Sequence, residues 1–341
     1  MRKEKHILFP LSFLVLSMIF QSALAQEKLV PTERPPEVKK ADGWDFILTP
    51  ALSTAVSSNY RVVGQPEGSS VSVGVNVDAG AAMRYGVHEW RNTLKITEQW
   101  TRTPVLSEFT KSTDIFKVES IYLFHLIDWL GPFTQLNLDA TLIESFAVQP
   151  QTTQWQITYN EGTSITRTAQ HLRLSDWFHP LTIKETAGFF AKPVAKDEYS
   201  FEARLGFGGL HTIADGQLTV KDDGTTADRI EVVELRSFNQ AGGVLDLTLY
   251  GQLMAKKIVY KLFAGFMMPF VNELQAGDDR NFAELTNMEF SATLSFKVFE
   301  WLSIDYVFRA VRQPQLVDQF QIQNNLLLSA SYSFFKPEKK K

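Results

Sequence analysis

Cysteine is absent from the 341 residues of this chain. Disulfide bonds are therefore excluded, and so is a lipid anchor attached to a cysteine thiol. The fold must be held together by hydrogen bonds and by the packing of side chains.

Long apolar runs are scarce. The run "ILFPLSFLVLSMIF" lies within the first 25 residues, and no later stretch is long enough for a membrane-spanning helix. Basic residues precede this run, and Ala-Leu-Ala follows it before Gln26. This order is typical of an export signal. We predict a cleaved signal peptide over residues 1–25.

Basic runs are equally few. The formal net charge is -4, and the tail "KPEKKK" is the basic run that stands out. Nucleic acid is therefore not an expected partner. Residues 26–43 are rich in proline and charge, which is typical of a flexible lead segment. We predict a single β-domain over 44–335 and a basic tail over 336–341.

Strict alternation of apolar and polar residues is abundant. In "MEFSATLSFK", Met288, Phe290 and Ala292 fall on one face, and Glu289 and Ser291 on the other. A period of two predicts β-strands. Most of these segments reach the ~9–11 residues that cross a bilayer at a tilt. The segments are 44–57, 69–85, 88–102, 113–127, 132–147, 181–192, 197–211, 243–255, 257–271, 285–299, 301–312 and 319–335.

The connections between these segments alternate between short and long. Short ones lie near 86–87, 128–131, 193–196, 256 and 300, and long ones at 58–68, 103–112, 148–180, 212–242, 272–284 and 313–318. Outer-membrane barrels have short periplasmic turns and longer external loops. We therefore predict an all-β, closed antiparallel transmembrane β-barrel of about 12 strands, with 10 or 14 as alternatives. A soluble β-sandwich is the structural alternative.

The predicted inner face carries nearly balanced charge, and opposite charges on neighbouring strands stabilise a sheet. A selective ion pore would favour a ring of one sign. The predicted lumen charge network comprises Asp78, Arg84, Lys95, Lys117, Glu119, Asp139, Glu202, Arg204, Asp246, Lys261, Glu289, Lys297, Asp305 and Arg309.

Aromatic residues cluster beside the short connections, where rings prefer the membrane–water interface. The predicted girdle consists of Tyr85, Trp90, Trp129, Phe133, Tyr199, Tyr260, Trp301 and Phe334. Glu98, Glu144 and Glu185 are exceptions on the predicted lipid face. All three lie toward the long connections, where a charge costs little.

Signatures of catalysis are sparse, and we expect neither an enzyme nor a cofactor. His171, Asp176 and His179 offer metal-ligand types in the longest external region, but their spacing matches no familiar zinc site. They are the remaining metal candidate, against a solvated loop as the plainer alternative.

Three segments carry a resemblance: 92–124 around Lys111 and Asp114, 172–200 with its Lys-Pro turn, and the closing "NNLLLSASYSFF". They resemble an uncharacterised domain-of-unknown-function family of bacterial outer-membrane β-barrel proteins. The resemblance implies the barrel fold, and it implies no activity. The closing segment is similar to the signal read by the barrel-assembly machinery, although six residues follow Phe335.

These observations predict a protein of the Gram-negative outer membrane, in contact with membrane lipid. Its expected function is a narrow passive pore for small polar solutes or a sealed structural barrel. The alternatives are an outer-leaflet enzyme that hydrolyses lipid or peptide, and a surface-binding protein that uses the loops at 148–180 and 212–242.

Overall fold

A computed structural model describes residues 42–59, 68–106, 108–196, 198–221, 228–254, 256–273, 279–299, 301–331 and 334. The predicted signal peptide and basic tail lie outside these residues, as does nearly all of the lead segment. Within this part of the chain, no helix has the length and apolar character needed to cross a membrane. The described residues form strands β1 (Gly43–Asn59), β2 (Gly68–Tyr85), β3 (His88–Arg102), β4 (Thr110–Phe124), β5 (Leu130–Ala140), β6 (Ser145–Thr158), β7 (Ser164–Ser175), β8 (Leu181–Ala195), β9 (Tyr199–Ile213), β10 (Leu218–Val220), β11 (Arg229–Glu234), β12 (Phe238–Leu253), β13 (Ile258–Asn272), β14 (Asn287–Lys297), β15 (Leu302–Gln313) and β16 (Val317–Ser331).

Twelve of these strands close into one barrel, in the order β1-β16-β15-β14-β13-β12-β9-β8-β5-β4-β3-β2 and back to β1. The closing pair is antiparallel and sets Ala51 opposite Ser331. Closure leaves no strand edge that would need water to satisfy its backbone groups. The predicted fold class is confirmed, with twelve strands rather than ten or fourteen.

The alternation of side chains resolves in the direction expected for a membrane barrel. On β9, Leu205 is 66% exposed and Phe207 is 72% exposed, whereas Glu202 and Arg204 are buried on the inner face. The same division holds on β15, where Ile304 is exposed and Asp305 is buried. The apolar stripe therefore forms the outer surface and the polar stripe lines the lumen.

The short connections gather at one end of the barrel, which we call the short-turn end. They join β2 to β3, β4 to β5, β8 to β9, β12 to β13 and β14 to β15. The opposite end carries the longer connections and is called the long-loop end. One prediction here is wrong: the connection from β15 to β16 is a tight turn over 314–316, closed by a hydrogen bond from the Leu316 amide to the Gln313 carbonyl.

The two longest predicted loops are folded rather than irregular. They form a separate four-stranded sheet in the order β10-β11-β6-β7, which we call the second sheet. β6 pairs in parallel with β11, so this sheet joins the excursion between β5 and β8 to the excursion between β9 and β12. Its own apolar core consists of Trp155, Ile157, Leu172 and Val232.

The predicted strand 132–147 ends early, because the chain leaves the barrel wall after Ala140. The Asp114 carboxylate on β4 accepts hydrogen bonds from the amides of Leu142 at 2.6 Å and Ile143 at 3.2 Å. Lys111 Nζ donates to the Ile143 carbonyl at 2.7 Å. These bonds replace ladder partners and redirect the chain into the second sheet.

Of the three glutamates predicted on the lipid face, two contact basic or histidine side chains and the third is buried. Glu144 lies outside the barrel strands and faces the Arg173 guanidinium at 3.6 Å. Glu185 on the outer wall accepts from His211 Nε2 at 2.9 Å. Glu98 is buried on the outer wall, opposite the carboxylate of Asp114 in register. Local partners therefore account for Glu144 and Glu185 but not for Glu98, whose oxygens make no hydrogen bond among the described residues.

Candidate lumen site

Two ion-pair links cross the lumen of the barrel. Arg309 Nε donates to Glu289 on the neighbouring strand at 3.2 Å, and its Nη2 donates to Asp139 at 3.3 Å. Asp139 lies on β5, six strands around the ring from β15, and is therefore on the opposite wall. Lys117 Nζ on β4 likewise lies 3.7 Å from Glu289 Oε1 on β14, its opposite strand. These links divide the lumen across its diameter.

A second charge network lies toward the short-turn end and centres on Glu89. This carboxylate accepts hydrogen bonds from Arg84 at 2.7 Å and from Arg91 at 2.9 Å. His125 Nε2 lies 3.0 Å from Glu89 Oε2. Arg84 was predicted for the lumen network, whereas Glu89 and Arg91 were missed. Their parity with Lys95 on β3 was the available sequence signal, since it places all three on one face.

Glu202 extends this network to the far side of the lumen. Its Oε2 lies 3.4 Å from Arg91 Nη2 and 3.5 Å from Lys192 Nζ, and its Oε1 lies 3.5 Å from Arg204 Nε. Arg204 also donates to Gln135 at 3.0 Å. The carboxylate is almost fully buried and faces three cations, so its charge is compensated inside the wall.

The remaining predicted lumen residues also lie on the inner face. Asp246 is 3.5 Å from Lys184 Nζ. Asp305 accepts hydrogen bonds from Ser295 and Ser303. Lys297 stands on the same face, in register with Ser303. These side chains therefore share the inner face, and the ring geometry decides which of them meet.

Apolar side chains also enter the lumen, which the alternation did not predict. Ile121, Leu123, Phe133 and Phe190 form a buried cluster near the short-turn end. Phe133 is 5% exposed, so its assignment to the outer aromatic girdle is wrong. It shares the parity of Gln135, which points inward. Phe133 was assigned to the girdle because it lies near a short turn, but position along a strand does not determine which face a side chain occupies.

A second apolar cluster lies inside the wall near the long-loop end. It contains Leu210, Phe238, Val244 and Met267, and Leu316 from the β15–β16 turn packs against it. Together the two clusters come from β4, β5, β8, β9, β12 and β13 and fill lumen space on that side. The open space is therefore displaced toward β1 to β3, β14 and β15, with β4 and β13 at its edges.

That open space is a cavity of about 250 Å³. Its wall comes mainly from β1 to β4 and β13 to β15, and it carries both charged and hydroxyl side chains. Polar lining residues include Asn76, Asp78, Thr93, Lys95, Thr97, Gln99, Thr113, Lys117, Glu119, Lys261, Glu289, Ser291, Thr293 and Arg309.

The other residues of the predicted aromatic girdle lie on the outer surface near the short turns. Six exposed members mark the outer surface at the short-turn end, namely Tyr85, Trp90, Trp129, Tyr199, Trp301 and Phe334. Tyr260 lies on the same outer face and is half-buried. Trp44 and Phe46 belong to the girdle but were missed; their rings stack at 5.7 Å, and Trp44 lies 6.1 Å from Trp90.

The metal candidate is not assembled. His171 contacts Glu108 at 3.1 Å, Asp176 contacts Arg173 at 2.7 Å, and His179 Nδ1 lies 2.9 Å from a backbone carbonyl. Within the described residues, no group of three or more His, Asp or Glu side chains is placed to hold a metal ion. These residues lie on a folded strand and its flanking turn, and each has a different partner.

The fold defines a class of protein: a closed transmembrane β-barrel of the outer-membrane type. No protein-family model matches the chain, and no curated protein matches it. Among solved structures, the translocator domain of the autotransporter NalP from Neisseria meningitidis is 12% identical, with 86% of this chain and 89% of that chain covered and a TM-score of 0.36. An outer-membrane channel from Pseudomonas putida F1 is 9% identical, with coverages of 88% and 98% and a TM-score of 0.37. OprB from Pseudomonas putida is 11% identical, with coverages of 86% and 94% and a TM-score of 0.31.

Proposed function

We propose that this chain forms a narrow passive pore for small polar solutes in the Gram-negative outer membrane. The observation that carries the proposal is the polar cavity inside a closed barrel whose outer face is apolar. Polar groups and paired charges on its wall can exchange hydrogen bonds with water and with a passing solute. Their signs nearly balance, so the wall favours neither anions nor cations strongly.

The links across the lumen account for the narrowness. A solute must pass beside the Arg309–Asp139 and Lys117–Glu289 contacts, which join opposite walls. The apolar clusters occupy lumen space on one side of the barrel. Passage is thus directed through the half of the lumen that holds the cavity.

The orientation follows from the ends of the barrel. Short turns face the periplasm in barrels of this type, so the short-turn end with its aromatic girdle is the periplasmic side. The second sheet then stands outside the cell. Export by the predicted signal peptide, insertion by the barrel-assembly machinery and membership of the family resembled in sequence are parts of this proposal.

Conductance across a planar lipid bilayer tests the pore. In Asp139→Asn, Arg309 loses its charged partner on the opposite wall but keeps Glu289 on the neighbouring strand, so its side chain can fold against the wall. We expect single-channel conductance to rise. Asp246→Asn is the matched control, because its Lys184 partner lies two strands away and does not cross the diameter.

A sealed structural barrel is the second candidate, and the crossing ion pairs and apolar clusters favour it. The same bilayer experiment separates the two candidates. Absence of conductance in folded wild-type protein and in folded Asp139→Asn would reject the pore and leave the sealed barrel. An equal rise in Asp139→Asn and Asp246→Asn would reject the crossing link as the constriction.

A further inference from the structure

Two charged side chains on the cavity wall make no direct ion pair with the described residues, although the charge of Glu119 acts on nearby Lys117. Lys261 on β13 and Glu119 on β4 both line the cavity. Among the described residues, neither makes a hydrogen bond or an ion pair with another side chain. The neighbouring charges are engaged: Lys117 and Arg309 both contact Glu289. The wall thus presents one ammonium and one carboxylate that have no direct hydrogen-bonding partner in the described part of the protein.

These two groups face the cavity from different walls. β4 and β13 are five steps apart around the twelve-strand ring, nearly the full diameter. The wall also supplies neutral donors and acceptors that carry no net charge, among them Thr93, Thr113, Gln99, Ser291 and Thr293. A molecule between the two walls would meet opposite charges at its two ends and hydroxyl groups along its sides.

We propose that the cavity binds a small zwitterion of the amino-acid class, with its carboxylate on Lys261 and its ammonium on Glu119. This inference rests on the proposed pore and names the class of solute. An unpaired charge in a partly desolvated wall is costly, and a ligand of opposite sign at each end relieves that cost at both sites. A simple anion or cation would satisfy one site and be repelled by the other.

The size of the cavity limits the solute. At about 250 Å³, it lies below the ~300–1,000 Å³ range of pockets that hold drug-sized ligands. An amino acid with a short side chain suits this space, whereas a peptide does not. Phe263 and Val307 line the same cavity and offer apolar surface for a short side chain.

Binding of L-alanine to the purified full chain in detergent, measured by calorimetry, is the direct test. We expect Lys261→Met and Glu119→Gln each to bind about ten- to a hundredfold more weakly than wild type, because each loses a charge-assisted hydrogen bond. The double variant Glu119→Lys/Lys261→Glu exchanges the two charges and should recover binding, with the ligand reversed. Heat-modifiable migration on gels confirms that each variant is folded.

Swelling of liposomes that contain the protein separates this inference from the pore itself. L-Alanine and glycerol have the same number of non-hydrogen atoms, and glycerol is uncharged. We expect the ratio of alanine to glycerol flux to fall in both single variants and to recover in the exchanged variant. If both solutes pass and neither flux ratio nor binding changes in the single variants, the zwitterion site is rejected and the pore stands.

The opposite result is equally informative. If neither solute passes through folded wild type, the pore is rejected. Alanine binding that is lost in Lys261→Met and restored by the exchange would then still establish the site. No alanine binding to folded wild type would reject the site, whatever the flux.

Discussion

The barrel and the second sheet are built from the same alternating pattern, yet the apolar residues face outward in the barrel and are buried in the second sheet. On β9 of the barrel, Leu205 points outward and Glu202 is buried inside. In the second sheet, Trp155 and Ile157 are buried against Val232 from a neighbouring strand. A period of two therefore specifies a strand, while the surroundings of the sheet decide which face meets water.

The difference follows from what each sheet can pack against. The second sheet has water around it, so its apolar side chains are stable only when they bury one another. The barrel encloses polar groups in its lumen and offers its apolar face to acyl chains, where burial needs no protein partner. Buried charges of the lumen, such as Glu202 and Arg91, pair with one another inside the barrel.

The most damaging substitution should be one inside the second sheet. Trp155→Ala removes a fully buried ring and its hydrogen bond to the Ala169 carbonyl at 2.9 Å. We expect the free energy of unfolding of the second sheet alone to fall by about 3–5 kcal/mol. Limited proteolysis should show cleavage between residues 145 and 175, while heat-modifiable migration of the barrel is unchanged. Thr166→Ala, at an exposed position of β7, is the control. Simultaneous loss of both structures would show that the two regions fold as one unit.

The second-largest loss of stability should come from a charge placed on the outer wall of the barrel. Leu205 lies near the middle of β9 and is largely exposed, so Leu205→Arg would place a guanidinium in lipid. We expect the free energy of folding into the bilayer to become less favourable by about 2–4 kcal/mol, measured by urea titration of folding into vesicles. Ile165→Arg, on an exposed face of the second sheet, should change stability by no more than about 0.5 kcal/mol. Equal costs at the two positions would contradict the contrast between a lipid-facing and a water-facing surface.

The smallest effect should come from an ion pair on the second sheet. Arg173 contacts Asp176 at 2.7 Å and Glu144 at 3.6 Å, and all three side chains are substantially exposed. Because water and salt screen such contacts, Arg173→Ala should cost less than about 1 kcal/mol. Urea denaturation at low and high salt provides the measurement. A larger loss that persists in high salt would show that this pair resembles the buried lumen pairs instead.

Sequence patterns predicted the strands of the barrel but not those of the second sheet. Trp155, Ile157 and Tyr159 alternate just as the barrel segments do, but they lie in a region first assigned as a loop. The strand from Phe133 to Ala140 looked continuous with residues 141–147, because the pattern contains no sign that Asp114 captures the next amides. A side chain on another strand decides that boundary, so local periodicity cannot locate it.

The lumen shows the same division between local and long-range information. Parity correctly placed Asp139, Lys117, Glu289 and Arg309 on the inner face. It could not show that Arg309 reaches a carboxylate on the opposite wall, since that contact depends on strand number and register around the ring. It also could not separate Lys261 and Glu119 from the charges that found partners.

The sequence by itself predicted about twelve barrel strands and, through their parity, the face of most barrel side chains, because a pleated backbone turns successive residues to opposite sides. Tertiary structure alone decided which charges meet across the lumen, how the long excursions join into a second sheet, and where space remains for a solute. Those outcomes depend on closure of the ring, which brings together residues that are distant along the chain.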